Sequence, residues 1–260
     1  MTPITIVTGA SAGIGTELAR VFARHGHALA LVARREDRLK ALAAEIAAAG
    51  RPEPLVLPID LALPDAATRI AKALAAREFE PEYVVNNAGF GLIGAAATRD
   101  RAELLGIIDV NVRALTDLSL AFVDSLVRRR GGLLNVGSVA GFLPGPGSAV
   151  YYASKAYVLS LTEALHQELR GQGVRVTVLC PGPVPTEFQA RAGLGDSRPS
   201  GLLAMPAARV AEAGYRGLMR GKRLVVPGFA NKIATFLPRL LPRATVLAMV
   251  GERQRRRHRR

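Results

Sequence analysis

Tyr151 and Lys155 are the two residues in this sequence that are best placed for proton transfer. They lie four positions apart in a segment with helical periodicity, residues 150–170. Their side chains therefore share one helical face, about 6 Å apart along the axis. An ammonium group near a phenol favours the phenolate and lowers the phenol pKa from about 10 toward neutrality. A tyrosine in that environment is suited to general acid or base catalysis.

Two further residues bear on this pair. Ser138 follows a predicted strand, and a hydroxyl at the carboxyl end of a strand can polarise a substrate carbonyl. Tyr152 is a competing phenol, but it lies three positions before Lys155 rather than four, and we assign it to packing. A Tyr and a Lys at this spacing also occur by chance on amphipathic helices, so the interpretation depends on the rest of the chain.

A glycine-rich turn, Thr8-Gly-Ala-Ser-Ala-Gly-Ile-Gly15, joins the first predicted strand to the first predicted helix. Glycine at three of its positions lets the backbone approach a pyrophosphate, and the helix N-terminus offers free N–H groups with a partial positive charge. A turn of this kind between a strand and a helix is typical of dinucleotide binding.

Two arginines, Arg34 and Arg35, follow the second predicted strand. An NAD site usually has Asp or Glu there to bind the ribose 2′-hydroxyl, whereas Arg accommodates the 2′-phosphate of NADP. Glu36 and Asp37 come next, but they begin a predicted helix, where acidic residues commonly complement the helix dipole. We therefore predict NADP(H) as the preferred cofactor and leave the use of NAD(H) open. The alternative for the two arginines is a solvated surface pair.

The ordered set of motifs resembles that of the short-chain dehydrogenase/reductases in their single-domain form. It consists of the glycine-rich turn, Asn86-Asn-Ala-Gly89, Asn111-Val112, Ser138, Tyr151 with Lys155, and Pro181-Gly-Pro-Val-Pro-Thr186. These motifs span residues 4–186, about 70% of the 260 residues. The resemblance implies an oxidoreductase that transfers a hydride between a nicotinamide cofactor and a carbonyl or alcohol.

The resemblance also implies a role for each catalytic residue. Tyr151 is the proton donor or acceptor, and Lys155 lowers its pKa while binding the nicotinamide ribose. Ser138 orients the substrate oxygen, and Asn111 holds a water in a proton relay to Lys155. The implied cofactor contacts are Gly9, Ser11, Gly13, Ile14, Gly15, Arg34, Arg35, Asp60, Leu61, Asn87, Ala88, Gly89, Tyr151, Lys155, Pro181, Val184 and Thr186.

One position departs from the family pattern. NADP-preferring members often have Lys or Arg where this sequence has Ala12. Selectivity for the phosphate then rests on Ser11, Arg34 and Arg35.

The scaffold that must position these residues is predicted from hydrophobic periodicity. Apolar runs of strand length alternate with Ala- and Leu-rich helical stretches, which is typical of parallel βα units. The predicted strands are residues 4–7, 28–32, 55–59, 83–85, 133–136, 174–179 and 224–226. The predicted helices are residues 16–24, 37–49, 65–77, 101–129, 150–170 and 207–220. This pattern predicts a Rossmann-like, doubly wound parallel α/β sheet with helices on both faces and a ligand site at the carboxyl ends of its strands.

The domain organisation is predicted to be simple. Residues 1–251 are expected to form one nucleotide-binding domain with both the cofactor and the substrate site. Residues 187–205 are a Gly-containing insertion after the sixth strand, long enough to act as a substrate lid. Residues 252–260 are predicted to be a basic, disordered tail.

Composition excludes several other classes of protein. Hydrophobic residues make up 49% and charged residues 22%, as in ordinary globular proteins. Aromatic residues are 5% and Trp is absent, which disfavours nucleic-acid binding by base stacking. The lone Cys180 and four scattered histidines predict no disulfide framework and no metal site. We expect neither a signal peptide nor a membrane span, and a cytoplasmic location.

The net charge is +14, of which residues 252–260 supply +5 with six Arg against one Glu, and the remaining 251 residues carry +9. We interpret this tail first as a solvated end. The alternative is contact with nucleic acid, which is disfavoured, or weak peripheral contact of residues 229–260 with an anionic membrane. For the amphipathic residues 229–250, we favour a different interpretation, in which Phe236, Leu240, Leu241 and Leu247 cover the substrate pocket or a subunit interface.

The predicted substrate region is mostly apolar, which favours a hydrophobic ketone, aldehyde or secondary alcohol. Its expected lining is Phe90, Leu92, Ile93, Phe142, Leu143, Phe188, Leu194, Leu202, Leu203 and Met205. The resemblance further implies a homodimer or homotetramer that packs through helices 101–129 and 150–170. A rival interpretation is a non-enzymatic NADP-binding protein docked on a membrane or on nucleic acid through the basic C-terminus. The complete Ser138, Tyr151 and Lys155 set favours the enzyme.

Overall fold

The computed structural model describes residues 1–193 and 201–258. Its strands are β1 (Thr2–Thr8), β2 (Leu29–Ala33), β3 (Leu55–Pro58), β4 (Phe79–Asn86), β5 (Gly132–Val136), β6 (Arg175–Leu179) and β7 (Leu224–Val225). All pairings are parallel, in the order β3-β2-β1-β4-β5-β6-β7. The predicted Rossmann-like doubly wound sheet is confirmed. The chain reverses its direction of winding between β1 and β4, which is where such a sheet opens a ligand crevice.

Helices cover both faces of this sheet. They are α1 (Gly13–Arg24), α2 (Glu36–Ala48), α3 (Ala66–Ala75), α4 (Arg101–Ile108), α5 (Leu115–Ala121), α6 (Val123–Arg129), α7 (Ala149–Leu169), α8 (Phe188–Arg191), α9 (Ala207–Met219), α10 (Phe229–Phe236) and α11 (Arg243–His258). Because both faces are covered, β2 and β5 are buried at every position.

The core forms two apolar layers, one on each side of the sheet. On one side α1, α2 and α9 contribute residues such as Phe22, Leu39 and Leu218. On the other side α3, α5, α6 and α7 contribute Ile70, Leu118, Leu126 and Leu165. These layers hold the strand ends rigidly, so the loops that follow the strands start from defined positions.

The long helix predicted over 101–129 is wrong in detail, because it is interrupted twice. A π-helical turn, Asp109–Ala114, separates α4 from α5, and Phe122 separates α5 from α6. A π turn accommodates one residue more than an α turn and is frequent at functional sites. Here the turn carries Asn111, whose side chain is buried.

Two segments after β6 are predicted to contain no helix or strand, namely the proposed lid 187–205 and the tail 252–260, but each contains helix. The proposed lid 187–205 includes helix α8, while its central residues 194–200 lie outside the described residues. Helix α11 continues to His258, so most of the backbone of 252–260 is helical where the sequence predicts a disordered tail. Arginine is a good helix former, which is consistent with that continuation.

Candidate active site

A cleft of about 1490 Å³ opens at the carboxyl ends of β1, β4, β5 and β6. It is lined by nearly every residue predicted from the sequence to form the site. Among the predicted catalytic and cofactor-binding residues, all of which lie in the described part of the chain, Gly15 and Asn111 do not line the cleft. Residues from widely separated parts of the sequence therefore meet at the edge of the sheet where the fold places a ligand.

The glycine-rich turn owes its shape to close packing. Gly9 and Gly13 have φ angles of +65° and +59°, which residues with a side chain rarely adopt. A Cβ at Gly15 would lie 2.2 Å from the carbonyl oxygen of Gly9. Asn87 fixes the turn from the neighbouring strand end, because its Nδ2 donates to the carbonyl oxygen of Thr8 at 2.9 Å. The turn leads directly into α1, whose N-terminal residues Gly13 and Ile14 line the cleft.

The hydroxyl of Thr8 joins the ends of β1 and β4. It accepts hydrogen bonds from the backbone N–H groups of Asn87 and Ala88, at 3.0 and 3.1 Å. It also donates to the carbonyl oxygen of Val85 at 3.2 Å. The side chains of Thr8 and Asn87 thus hold together the two loops that form the floor of the cleft.

A basic group lies at the end of β2. Arg35 donates to the Ser11 hydroxyl at 3.3 Å, and Arg34 lies 3.9 Å from the carboxylate of Asp60. Arg35 also forms an ion pair with Glu187, at 2.8 Å between Nη1 and Oε2. The other oxygen of Glu187 binds Arg38. These two arginines hold the pKa of the Glu187 carboxyl below its usual range.

Tyr151 and Lys155 lie on one face of α7, as predicted, with the Lys155 Nζ 6.0 Å from the centre of the Tyr151 ring. Burial raises the pKa of Tyr151 to about 12 against the opposing effect of its hydrogen bond with Ser138. Burial also lowers the pKa of Lys155 to about 8. The Nζ of Lys155 donates to the carbonyl oxygen of Val136 at 2.7 Å.

The expected depression of the Tyr151 pKa by Lys155 is therefore not found in this structure. Desolvation is the largest cause of the raised pKa of the phenol, to which Lys155 makes no resolved contribution, and desolvation also disfavours the charged form of Lys155. Both shifts favour neutral forms, so the resting Tyr151 holds its proton.

Asn111 fixes the loop that follows β4. Its Oδ1 accepts from the backbone N–H of Phe90 at 3.0 Å, and its Nδ2 donates to the Phe90 carbonyl at 2.9 Å. The same Nδ2 donates to the hydroxyl of Ser154 on α7 at 3.0 Å. A Cβ at Gly89 would lie 2.9 Å from Oδ1 and 3.5 Å from the Nζ of Lys155, which places Asn111 near the lysine.

The substrate side of the cleft matches part of the predicted lining. Five of the predicted residues line it: Phe90, Ile93, Phe188, Leu202 and Leu203. Four others do not: Leu92, Phe142, Leu143 and Met205. The tenth, Leu194, lies outside the described residues. The four side chains expected to cover the pocket, Phe236, Leu240, Leu241 and Leu247, are exposed and do not line it. They lie on the C-terminal helices and turn, away from the cleft wall.

Aromatic packing separates the roles of the two tyrosines. The ring of Tyr151 lies 5.5 Å from that of Phe188, at the mouth of the proposed lid. Tyr152 packs against Gly145, where a Cβ would come within 2.1 Å of its ring. The guanidinium carbon of Arg191 lies 4.2 Å from the centre of the Phe90 ring, and both residues line the cleft.

Comparison with known proteins agrees with this geometry. A family model described as short chain dehydrogenase matches residues 3–196, most of the chain. The chain belongs to the short-chain dehydrogenase family. Sulfoacetaldehyde reductase 2 of Chromohalobacter salexigens is 38% identical over 206 residues, covering 78% of this chain and 81% of that protein.

Two solved structures resemble this short-chain dehydrogenase over most of its length. A short-chain dehydrogenase from Sphingobium yanoikuyae in complex with NADPH is 32% identical, with a TM-score of 0.80 over 98% of this chain and 94% of the other. An alcohol dehydrogenase from the archaeon Thermococcus sibiricus, complexed with 5-hydroxy-NADP, is 28% identical. Its TM-score is 0.76, over 88% of this chain and 97% of the other. This short-chain dehydrogenase is an oxidoreductase.

Sequence reasoning missed three residues of the site. Glu187 and Arg38 form the ion-pair group with Arg35, and the buried Asn231 on α10 donates to the carbonyl oxygen of Leu203 at 3.1 Å. Arg38 lies three positions after Arg35 on the following helix, a spacing that brings side chains together. The sequence carries no comparable signal for Glu187 or Asn231, whose partners are distant along the chain.

Among the described residues, no group of three His, Cys, Asp or Glu side chains is arranged to hold a metal ion. The described helices include none with the length and apolar character needed to cross a bilayer.

Proposed function

We propose that this short-chain dehydrogenase is an NADP(H)-dependent oxidoreductase that interconverts a hydrophobic ketone or aldehyde and its alcohol. The observation that carries the proposal is the meeting of Ser138, Tyr151 and Lys155 in the cleft that also holds the glycine-rich turn. We further propose that one domain, residues 1–251, carries both sites and that residues 187–205 act as the substrate lid.

The residues present fit NADP(H). The positions of Gly9 and Gly13 leave room for close approach of a pyrophosphate to the backbone, at the N-terminus of α1. Ser11, Arg34 and Arg35 would hold the 2′-phosphate, and Asp60 and Leu61 the adenine. Asn87, Ala88 and Gly89 would line the adenosine side, and Val184 and Thr186 would hold the carboxamide and the phosphates; all five residues line the cleft. The NADPH and 5-hydroxy-NADP complexes of the two similar structures support the same cofactor; use of NAD(H) stays open.

Bound NADPH supplies the hydride, and the protein supplies the proton. In the reductive direction the Oη of Tyr151 donates its proton to the substrate oxygen as negative charge develops there. The Ser138 hydroxyl, which lines the cleft together with Tyr151, would orient that oxygen. Buried Lys155 would hold the nicotinamide ribose, and Asn111 would hold a water between Lys155 and solvent. A positive charge next to the phenol during turnover would offset part of the desolvation that raises its pKa.

The apolar side chains of the cleft support a hydrophobic substrate. Five of its lining residues carry no charge that could bind an ionic substrate: Phe90, Ile93, Phe188, Leu202 and Leu203. Arg191 is the specific observation that favours a second candidate, a small anionic aldehyde or hydroxy acid, as in the reductase of Chromohalobacter salexigens. Its stacking on Phe90 leaves the in-plane N–H groups of the guanidinium free to bind an anion, but Arg191 is one cation beside five apolar side chains, so we place this candidate second.

The experiment that tests the proposal is a kinetic comparison of Tyr151→Phe and Tyr152→Phe, with NADPH and a panel of medium-chain ketones, aldehydes and sulfoacetaldehyde. Tyr151→Phe removes the proton donor and should lower kcat by several orders of magnitude while leaving NADPH binding nearly intact. Tyr152→Phe keeps its ring on Gly145 and should be mild. Equal losses in both variants would contradict the assignment, and activity confined to sulfoacetaldehyde would favour the second candidate.

An oligomer and a cytoplasmic location are part of the proposal. The helices α4 and α5 and the long helix α7 expose Leu105, Leu120 and Tyr157, and such a surface fits packing against a second copy across a two-fold axis. We propose a homodimer or homotetramer. The rival, a non-enzymatic NADP-binding protein, requires that no carbonyl in the panel be turned over while NADPH still binds.

A further inference from the structure

The C-terminal part of the chain exposes a continuous apolar face. Phe229, Phe236 and Leu240 are 79%, 56% and 68% exposed, and Ile233 and Leu237 lie between them, also exposed. The five residues recur at steps of four, three, one and three, so they follow one side of α10 and of the turn after it. We call these five residues the C-terminal apolar face.

The opposite side of α10 is anchored to the domain. Asn231 and Thr235 are buried. The Nδ2 of Asn231 donates to the carbonyl oxygens of Pro227 at 2.9 Å and of Leu203 at 3.1 Å. Leu203 lines the cleft. The helix therefore has a defined orientation, and its apolar face points away from the protein that holds it.

The charge around this face selects its partner. Lys232 and Arg243 are exposed beside it, and residues 229–251 contain one Lys and two Arg but no acidic residue. A second copy docked on this face about a two-fold axis would bring two such cationic segments together, and their repulsion would oppose association. Anionic lipid headgroups would instead attract each cation while the apolar side chains enter the acyl boundary.

We propose that the C-terminal apolar face docks on the surface of a bilayer that contains anionic lipids. The helix lies in the interface, with Phe229, Phe236 and Leu240 inserted and Lys232 at the headgroups. Apolar burial and electrostatic attraction add together in such binding, which is reversible because the inserted face is short.

The docked orientation brings the substrate region close to the lipid. Leu202, which lines the cleft, is 94% exposed, and its neighbour Leu203 is bound to α10 through Asn231. This part of the inference rests on the proposed function: a hydrophobic carbonyl dissolved in the bilayer would reach the cleft without crossing bulk water. The substrate class would then be carbonyls that partition into membranes.

The test is co-sedimentation of the full chain with sonicated vesicles at low salt. Vesicles of phosphatidylcholine with an equal part of phosphatidylglycerol should bind the protein, and pure phosphatidylcholine vesicles should bind at least tenfold less. The double variant Phe236→Ser with Leu240→Ser should reduce binding to the anionic vesicles about tenfold or more. Leu63→Ser removes a comparable exposed apolar side chain, 44% exposed, far along the chain, and should bind as the native protein does.

The outcomes separate the inference from the proposed function. Turnover of a water-soluble ketone should be the same in the double variant, in Leu63→Ser and in the native chain, because none of these residues lines the cleft. Absence of binding to anionic vesicles at low salt would overturn the inference even if turnover is normal. A fall in oligomer size in the double variant, without a change in vesicle binding, would show that a second copy covers the face. Vesicle binding without turnover of any ketone would reject the proposed function alone.

Discussion

Replacing Glu187 by Gln should strengthen NADPH binding, because this carboxylate occupies the guanidinium groups that a 2′-phosphate would use. Glu187 pairs with Arg35 at 2.8 Å and also binds Arg38. The incoming phosphate must either break the Arg35 pair or sit beside a second negative charge. An ion pair between side chains this exposed contributes about 0.2–1 kcal/mol. Its loss from the free enzyme therefore corresponds to about 1.5- to 5-fold tighter NADPH binding.

The assay is a fluorescence titration of the native chain and Glu187→Gln with NADPH and with NADH, at low salt and again at 0.5 M NaCl. NADH has no 2′-phosphate, so its affinity should stay within experimental error of the native value. The difference for NADPH should shrink in high salt. Glu45→Gln is the matched control, since Glu45 is as exposed as Glu187, at 52%, and pairs with Arg20 at 2.7 Å outside the cleft. If NADPH bound Glu187→Gln more weakly, the carboxylate would instead be holding the arginines in position, and the reasoning would be refuted.

The remaining predictions concern the arginines, the buried lysine and assembly. Replacing both Arg34 and Arg35 by Ala should lower the ratio of NADPH to NADH affinity at least tenfold, since each charged contact contributes about 1.5–3 kcal/mol; the same titration checks this, and an unchanged ratio would contradict it. Burial lowers the pKa of Lys155 from 10.5 to about 8, so below pH 8 both folded and unfolded chains bind the proton and the desolvation cost is fully present. Between pH 8 and 10.5 the unfolded chain binds more protons, so the native free energy of unfolding rises with pH. Urea unfolding should show Lys155→Met more stable than the native chain by up to ~3 kcal/mol at pH 7, with the difference shrinking by pH 10; a difference independent of pH would argue against a desolvated ammonium. Light scattering at micromolar concentration should give at least twice the 27.5 kDa of one chain, and a value of one chain would exclude the proposed oligomer.

The parts of the site that sequence could predict are those that follow strands directly. Gly9, Ser138 and Val184 come at or just after strand ends, and in a parallel sheet all strand ends meet at one edge. Tyr151 and Lys155 were predictable because helical spacing alone places them on one face. These features depend on local periodicity, which the sequence shows directly.

The parts that could not be predicted depend on contacts between distant segments. The ion pair of Arg35 with Glu187 and the hydrogen bond of Asn231 to Leu203 join residues that no local pattern relates. The direction in which the Tyr151 pKa shifts could not be predicted from the sequence either, because the shift depends on how completely the surrounding chain excludes water from the phenol. The spacing places Lys155 near Tyr151, but it does not show how strongly burial raises the pKa of the phenol.

The π-helical turn at Asp109–Ala114 has a consequence for the alignment of sequences with this one. The turn contains one residue more than α-helical periodicity requires, and Asn111 lies inside it. A protein that lacks that residue would continue the helix with every later side chain rotated by about 100°. Its counterpart of Leu118 would then leave the core, and an asparagine aligned with Asn111 would lose its bonds to Phe90 and Ser154. A one-residue gap between positions 109 and 114 therefore marks a sequence whose asparagine cannot be assumed equivalent, however well the flanking residues match.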